Sequence, residues 1–359
     1  MDCRFCRYRC RTVPYGRCAD YTLRLDPWKD VRDMKHVFIL NPAAGKGDDI
    51  APLTLKLESE CKRLGVDYFI YLTQSPGDAT EFIQRECAEG GKFHGETCRF
   101  YACGGDGTIS EVLDGAARVE GAEVGVIPIG TGNDFCRSCT PRELYFDIEA
   151  QINGTAIPID AVKYNGKYSA NMINIGFDCE VVRDVANIKR KPWVPGGLAY
   201  IFGLIRTLVR KPGASFTLSI DGGKPEHYEL LLCAIANGPY CGGGFDALPM
   251  AELSDGKVNI IKVKNISRLK FITLVKKYKD GTLPESKKGE KFCEYVSCRH
   301  AVFEFDKTQA VCVDGEIHEL DRLEIDVEPG KFIFSAPRGA VMGSALDSAA
   351  AKASRVPAN

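Results

Sequence analysis

Residues 99–117, RFYACGGDGTISEVLDGAA, decide the fold. The apolar run at the start is typical of a buried strand, and the later apolar residues recur at helical spacing. Between them, the Gly-rich turn at 104–108 lets backbone N–H groups approach a bound phosphate. The helix is predicted to begin at Thr108, whose spacing to Glu111 is that of a capping box. The stretch predicts a strand–turn–helix unit, with a phosphate-binding turn and a plain tight turn as the two alternatives.

The same unit recurs through the first half of the chain. Apolar strand-like runs alternate with segments of helical period, which predicts a parallel, doubly wound sheet. A cluster of Gly, Asn, Thr or Asp follows each strand, and ligands of such sheets bind beyond the carboxyl ends of the strands. Four such clusters on one edge predict a binding site there. The predicted strands are 36–40, 67–72, 99–103 and 124–128, and the loops that follow them are 41–45, 73–78, 104–108 and 130–135.

Composition and missing motifs exclude several function classes. The 359 residues carry a net charge of -1, so no overall basic field favours nucleic acid. No apolar run approaches the roughly 20 residues of a membrane-spanning helix. The chain has no Walker-type phosphate loop, no dinucleotide fingerprint after a strand and no protein-kinase signature. The protein is expected to be cytoplasmic.

The second half predicts an antiparallel, β-sandwich-like domain. Apolar and polar residues alternate in short runs, and hairpin signals such as Asn165-Gly166 and Asp314-Gly315 separate them. Two basic amphipathic segments, 198–211 and 266–279, interrupt this pattern. Each either packs on the sandwich with solvated lysines or lies in a membrane interface.

The composition also suggests domain limits. Residues 1–33 lack a hydrophobic period and are interpreted as a leader of uncertain status, with a zinc knot as the alternative because Cys3 and Cys6 have ligand spacing. The final strands are expected to return to the first domain, and the tail to be mobile. The predicted segments are 1–33 for the leader, 34–139 for the α/β ATP-binding domain, 140–318 for the β-sandwich lipid-substrate domain, 319–339 for the C-terminal strands and 340–359 for the tail.

Four motifs, taken in order, resemble one family. They are NPAAG at 41–45, GGDGT at 104–108, PIGTGNDFCR at 128–137 and DGE at 314–316. Together they resemble the diacylglycerol kinase catalytic domain, whose family also includes sphingoid-base, ceramide and bacterial lipid kinases. The match runs from about residue 34 to residue 338.

The resemblance implies ATP and Mg²⁺ as cofactors and gives roles to residues. Glu316 matches the general base, and Asp134 and Asp160 match acids near the reacting phosphate. Asp255 matches a side-chain ligand of a structural magnesium, which Glu252 and Lys257 would complete through backbone carbonyls. The positions that match ATP contacts are Asn41, Pro42, Ala43, Ala44, Gly45, Thr73, Gly104, Gly105, Asp106, Gly107, Thr108, Ile109, Ser110 and Thr131.

These assignments imply a lipid kinase that transfers the γ-phosphate of ATP to a lipid hydroxyl. Asn133-Asp134-Phe135 resembles the diacylglycerol branch more than the sphingoid branch, so phosphatidic acid is the expected product. A sphingoid-base or other lipid kinase is the first alternative, and a non-catalytic lipid- or nucleotide-binding protein is the second. The expected partner is lipid at a membrane surface, met by peripheral contact, and not nucleic acid. The oligomeric state stays open, with a homodimer as one alternative.

Overall fold

The computed structural model of the protein describes residues 31–45, 49–177, 179–180, 183 and 213–343. The cysteines of the predicted leader, the basic segment 198–211 and the tail after residue 343 lie outside these residues. The two halves of the described chain are joined by one 13-stranded sheet.

The first half is a parallel sheet with helices on both faces, as predicted. Its strands lie in the order β2-β1-β3-β4. Alternate residues of β1 explain the two layers: Val37 and Ile39 pack towards α2 and α3, whereas Phe38 and Leu40 pack towards α1. The strands are β1 Lys35–Leu40, β2 Tyr68–Leu72, β3 Cys98–Gly104 and β4 Glu123–Pro128, and the helices are α1 Ile50–Leu64, α2 Asp78–Cys87, α3 Asp106–Ala116 and α4 Ile148–Ile152.

The predicted capping box at the start of α3 is wrong. The helix begins at Asp106, with Gly105 as its N-cap and no side-chain cap. Thr108 instead accepts a hydrogen bond from the Asn41 side chain, with Nδ2 to Oγ1 at 3.0 Å. The Glu111 carboxylate accepts from the N–H groups of Gly77 at 2.8 Å and Ala79 at 3.2 Å. Glu111 therefore caps α2, because that helix begins beside it, and does not cap its own helix.

The second half is an antiparallel β-sandwich, as predicted. Residues His300–Val313 form one long strand, β15, with an irregularity between Glu304 and Gln309. Strands β10 and β15 each pair with β9 along one half of their length and with β8 along the other half. Side chains of these four strands meet in the hydrophobic core of the sandwich. The strands are β5 Cys139–Thr140, β6 Thr155–Tyr164, β7 Lys167–Ser169, β8 Met172–Gly176, β9 Ala214–Ile220, β10 Glu226–Ala236, β11 Tyr240–Cys241, β12 Phe245–Asp246, β13 Val258–Lys264, β14 Cys293–Cys298, β15 His300–Val313, β16 Glu316–Ala336 and β17 Val341–Met342.

The long strand β16 connects the halves. It begins in the sandwich as the partner of β15, and near its end Ile333 and Phe334 pair in parallel with Glu123 and Val124 of β4. The start of β16 also lies near the first-half loops, since Glu316 lines the same cleft as they do.

Two helices lie outside the sandwich. The first, α5 (Arg268–Lys279), buries Phe271, Leu274 and Tyr278 against the sheet, and α6 (Lys287–Phe292) follows it. The predicted segment 266–279 is thus a helix packed on the sandwich, with most of its lysines exposed. Among the residues that the structure describes, no helix has both the length and the apolar character to cross a membrane.

Candidate active site

A cleft of about 690 Å³ opens at the carboxyl ends of the parallel strands. Loops after β1, β2, β3 and β4 all contribute to it, as the sequence pattern predicts for a doubly wound sheet. Glu316, from the start of β16, closes one side. The lining residues are Asn41, Pro42, Ala43, Ala44, Gly45, Thr73, Gln74, Ser75, Pro76, Gly105, Gly107, Thr108, Glu111, Gly130, Thr131 and Glu316.

Two glycine loops touch at the floor of the cleft. A Cβ on Gly130 would lie 2.3 Å from the Gly105 Cα, closer than real Cβ contacts come. The Gly130 N–H donates to the Gly104 carbonyl at 3.1 Å, which fixes the two loops together. The loop after β3 therefore enters α3 with its first N–H groups open towards the cleft. Such a helix N-terminus attracts anions through its free donors and its dipole.

Glu316 faces that helix N-terminus. A Cβ placed on Gly107 would lie 3.5 Å from the Glu316 Oε1 atom, so only a narrow space separates the carboxylate from the first turn of α3. Burial, followed by the Glu111 carboxylate, raises the pKa of Glu316, and Lys167 partly opposes this. Although much of the residue is exposed, the protein surrounds its carboxylate on the cleft side. A carboxylate with a raised pKa can act as a proton acceptor near neutrality.

The position of Glu316 depends on the turn before it. Asp314 and Gly315 both have positive φ, at 47° and 95°, and they make the hairpin that the sequence predicts. The buried Asp314 carboxylate accepts from the N–H groups of Met172 at 2.9 Å and Ala170 at 3.3 Å. The turn is therefore tied to β8, and Glu316 leaves it at a fixed place.

Asp106 and Asp134 form an acidic pair beside the cleft. Asp106 Oδ1 accepts from the backbone N–H of Asp134 at 2.7 Å. A Cβ on Gly132 would lie 2.6 Å from Asp106 Oδ2 and 3.8 Å from Asp134 Oδ2, so the two carboxylates converge on this glycine. Burial, with the Asp134 charge second, raises the pKa of Asp106 to about 6. Asp134 Oδ1 is also paired with Arg137 Nε at 3.2 Å, which balances part of the charge. The carboxylate oxygens of the pair are of the hard type that Mg²⁺ prefers.

Asp160 lies on β6, outside the residues that line the cleft. Its two oxygens accept from the backbone N–H groups of Gly256 at 2.6 Å and Gly330 at 2.9 Å. Asp160 therefore holds the turn that carries Asp255, and its place near the reacting phosphate stays a prediction.

The turn at 252–257 carries the three residues that are predicted to bind a structural magnesium, and that site stays a prediction. The exposed Asp255 carboxylate accepts from the Lys257 N–H through Oδ1 at 3.0 Å. Asp160 fixes the adjacent Gly256, and its own N–H donates to the Leu253 carbonyl at 2.7 Å. Glu252 and Lys257 are exposed on either side of this turn. The Asp255 carboxylate is a hard oxygen ligand, which is compatible with Mg²⁺.

The cleft gathers most, but not all, of the predicted ATP positions. Ile109 is buried in the core and its N–H donates to the Gly105 carbonyl at 3.0 Å, so it does not face the cleft. Gly104, Asp106 and Ser110 also lie outside the lining. Sequence reasoning missed several lining residues, although the loop pattern after the second and fourth strands pointed to their segments. The missed residues are Gln74, Ser75, Pro76, Glu111 and Gly130.

Comparisons with known proteins agree with this architecture. The profile of the diacylglycerol kinase catalytic domain matches residues 35–164, and that of the YegS C-terminal NAD kinase beta sandwich-like domain matches residues 171–333. A candidate lipid kinase of Staphylococcus haemolyticus is 25% identical over 287 residues, which cover 79% of this chain and 88% of the relative. The structure of a candidate diacylglycerol kinase from Bacillus anthracis is 25% identical, covers 84% of this chain and 96% of its own, and superposes with a TM-score of 0.64. Since the two profiles together match most of its residues, the chain belongs to the diacylglycerol kinase catalytic domain family.

Proposed function

We propose that the protein is an ATP-dependent lipid kinase that phosphorylates the free hydroxyl of diacylglycerol to give phosphatidic acid. The observation that carries this proposal is the position of the Glu316 carboxylate, which faces the N-terminus of α3 across a narrow part of the cleft. A proton acceptor opposite a phosphate-binding turn is what phosphoryl transfer to an alcohol requires.

ATP would bind with its phosphates against the first turn of α3. The N–H groups of Gly107 and Thr108 are among the free donors of that turn, and the loop at 41–45 lines the opposite wall. Mg²⁺ would be held by Asp106 and Asp134, and when bound it supplies charge neutralisation for the polyphosphate. A second, structural Mg²⁺ would be held by Asp255 with the Glu252 and Lys257 carbonyls.

In the transfer step, the lipid hydroxyl oxygen forms a bond to the γ-phosphorus while the bond to the β,γ-bridging oxygen breaks. ADP leaves with that oxygen, and the hydroxyl proton goes to the Glu316 carboxylate. Burial and the neighbouring Glu111 charge raise the pKa of Glu316, which makes its carboxylate a better proton acceptor near neutral pH. Positioning of the two substrates supplies most of the remaining rate, because little covalent chemistry falls to the protein.

The choice of a lipid acceptor rests on family membership and on the relatives. The curated relatives carry lipid kinase names, and the solved Bacillus anthracis structures carry diacylglycerol kinase titles. The Asn133-Asp134-Phe135 motif favours the diacylglycerol branch. The substrate would be met by peripheral contact at a membrane surface.

The test is transfer of labelled phosphate from ATP, with Mg²⁺, to diacylglycerol and to sphingosine in mixed micelles. Glu316→Gln keeps the shape of the side chain and removes the proton acceptor. Glu319→Gln makes the same change three residues along β16, outside the cleft lining, and is the matched control. Labelled phosphatidic acid from wild type and control, and not from Glu316→Gln, is the expected result. Label on sphingosine alone would show that the acceptor is a sphingoid base and not diacylglycerol. If neither lipid is labelled while ATP still binds, the protein is a non-catalytic binder.

A further inference from the structure

The helices α5 and α6 present a basic surface that the catalytic proposal does not use. Between residues 270 and 291 the chain has seven lysines and three acids, whereas the whole chain has a net charge of -1. Since α5 buries its apolar side against the sheet, most of these lysines point outwards. We call this surface the lysine face, and its cations are Lys270, Lys276, Lys277, Lys279, Lys287, Lys288 and Lys291.

The cations of the lysine face lack acidic partners among the residues that the structure describes. In the part of the chain that the structure describes, none of the seven lies within 4.0 Å of a carboxylate. Other lysines behave differently: Lys262 and Lys264, just before α5, both pair with Glu294 at 3.1 Å. The positive charge of the lysine face is therefore available to an external anionic surface.

Apolar groups lie among these cations. Ile272 is 53% exposed, which is unusual for a large aliphatic side chain, and Lys276 follows it by one helical turn. Lys270 and Lys291 lie over the ring of Phe292, at 5.5 Å and 5.6 Å from its centroid. Apolar groups beside lysines match the boundary between acyl chains and anionic headgroups.

We propose that the lysine face docks the protein on an anionic lipid bilayer. The proposal rests on the proposed function in one respect, since a lipid kinase must reach a substrate held in a membrane. An acidic protein would satisfy the lysines, but it would not require the exposed Ile272 one helical turn from Lys276. The bilayer satisfies both, because it offers negative headgroups over an apolar layer.

The lysine face also contacts the loop beside the acidic pair. Lys279 lies over the Phe245 ring at 5.6 Å, and a Cβ on Gly281 would lie 2.8 Å from Asp246 Oδ2, so the end of α5 packs against β12. The loop that precedes β12 donates the Gly243 N–H to Asp134 Oδ2 at 2.8 Å. Docking at α5 would therefore hold the bilayer near the loop that positions Asp134.

The test is sedimentation of the full chain with vesicles, in the absence of ATP. Vesicles of phosphatidylcholine alone are compared with vesicles in which one lipid in three is anionic phosphatidylglycerol. Lys276→Glu/Lys288→Glu reverses two charges of the lysine face. Lys224→Glu/Lys307→Glu makes the same change at two exposed lysines elsewhere and is the matched control. Ile272→Asp is a second variant, at the exposed apolar centre.

We expect wild type and control to bind the anionic vesicles, with binding that weakens as salt is added. Both lysine-face variants should bind at least tenfold more weakly and should still phosphorylate a short-chain, water-soluble diacylglycerol at the wild-type rate. Unchanged vesicle binding in both variants would overturn the proposal, as would binding to polyglutamate in place of vesicles. Lysine-dependent vesicle binding by a protein that phosphorylates no lipid would support the docking surface and refute the proposed function.

Discussion

The Gly107→Ala substitution distinguishes the role of α3 in phosphate binding from its contribution to the stability of the protein. Gly107 lies in the first turn of the helix and does not have a positive φ, so alanine can adopt its backbone conformation. The nearest atom to the new Cβ is Glu316 Oε1 at 3.5 Å, which is an ordinary van der Waals contact. The methyl group therefore fits the free protein. It occupies the space between the helix N-terminus and the proposed base.

The two expected effects have opposite signs. Replacing glycine by alanine in a helix stabilises by about 0.5–1 kcal/mol, since the unfolded glycine has more conformational freedom. In a chain of this size that corresponds to a rise in the melting temperature of roughly 1–3 °C. The methyl group also blocks close approach of a phosphate oxygen to the N–H donors. A fall in kcat/KM of at least about tenfold, or about 1.4 kcal/mol of transition-state stabilisation, is expected.

The assay pairs thermal unfolding with labelled phosphate transfer on the same preparations. Ser110→Ala puts alanine on the same helix outside the cleft lining and should leave transfer unchanged. If Gly107→Ala transfers phosphate at the wild-type rate, the reacting phosphate does not pass between Gly107 and Glu316. The assignment of the cleft would then be refuted.

Three further predictions concern stability. Gly130→Ala should destabilise by about 1–3 kcal/mol in denaturant unfolding, because its Cβ would lie 2.3 Å from the Gly105 Cα; an unchanged midpoint would show that the loops can separate freely. Asp106→Asn should raise the unfolding free energy at neutral pH without Mg²⁺, by up to about 3 kcal/mol, and should change little near pH 4. The sign follows because the folded pKa of about 6 is raised, so ionisation of Asp106 costs stability as pH rises from about 4 through 6. Glu123→Gln should cost about 3–5 kcal/mol because it removes the negative charge 2.6 Å from the buried Arg99 guanidinium, and equal stability would show that the backbone carbonyls around Arg99 suffice.

The first half of the fold was largely predictable from local pattern. Each parallel strand is a short apolar run, and glycine-rich loops follow because they must turn sharply at the carboxyl edge. The role of Glu111 was not predictable, since its partners, the N–H groups of α2, become neighbours only when two helices pack on one face. The hydrogen-bond partners of Asp160 were not predictable for the same reason. The N–H groups of Gly256 and Gly330 reach its carboxylate only in the folded chain, where β6 pairs with β16.

The proposed base shows a sharper limit. Asp314-Gly315 is a strong hairpin signal, and from pattern alone Glu316 is an ordinary strand residue. Two distant contacts decide otherwise: the Asp314 carboxylate accepts hydrogen bonds from the N–H groups of Met172 and Ala170, which fixes the turn before Glu316. Only the resemblance to a family pointed to Glu316 before the structure did.

In the proposed mechanism, Glu316 accepts the hydroxyl proton and does not bind ATP. The most direct measurement compares wild type with Glu316→Gln for ATP affinity, by calorimetry, and for the rate of transfer to diacylglycerol at saturating ATP. We predict an ATP Kd within about twofold of wild type and a transfer rate lower by about 10²–10⁴-fold. A transfer rate near that of wild type, or a loss that is fully explained by weaker ATP binding, would contradict the claim.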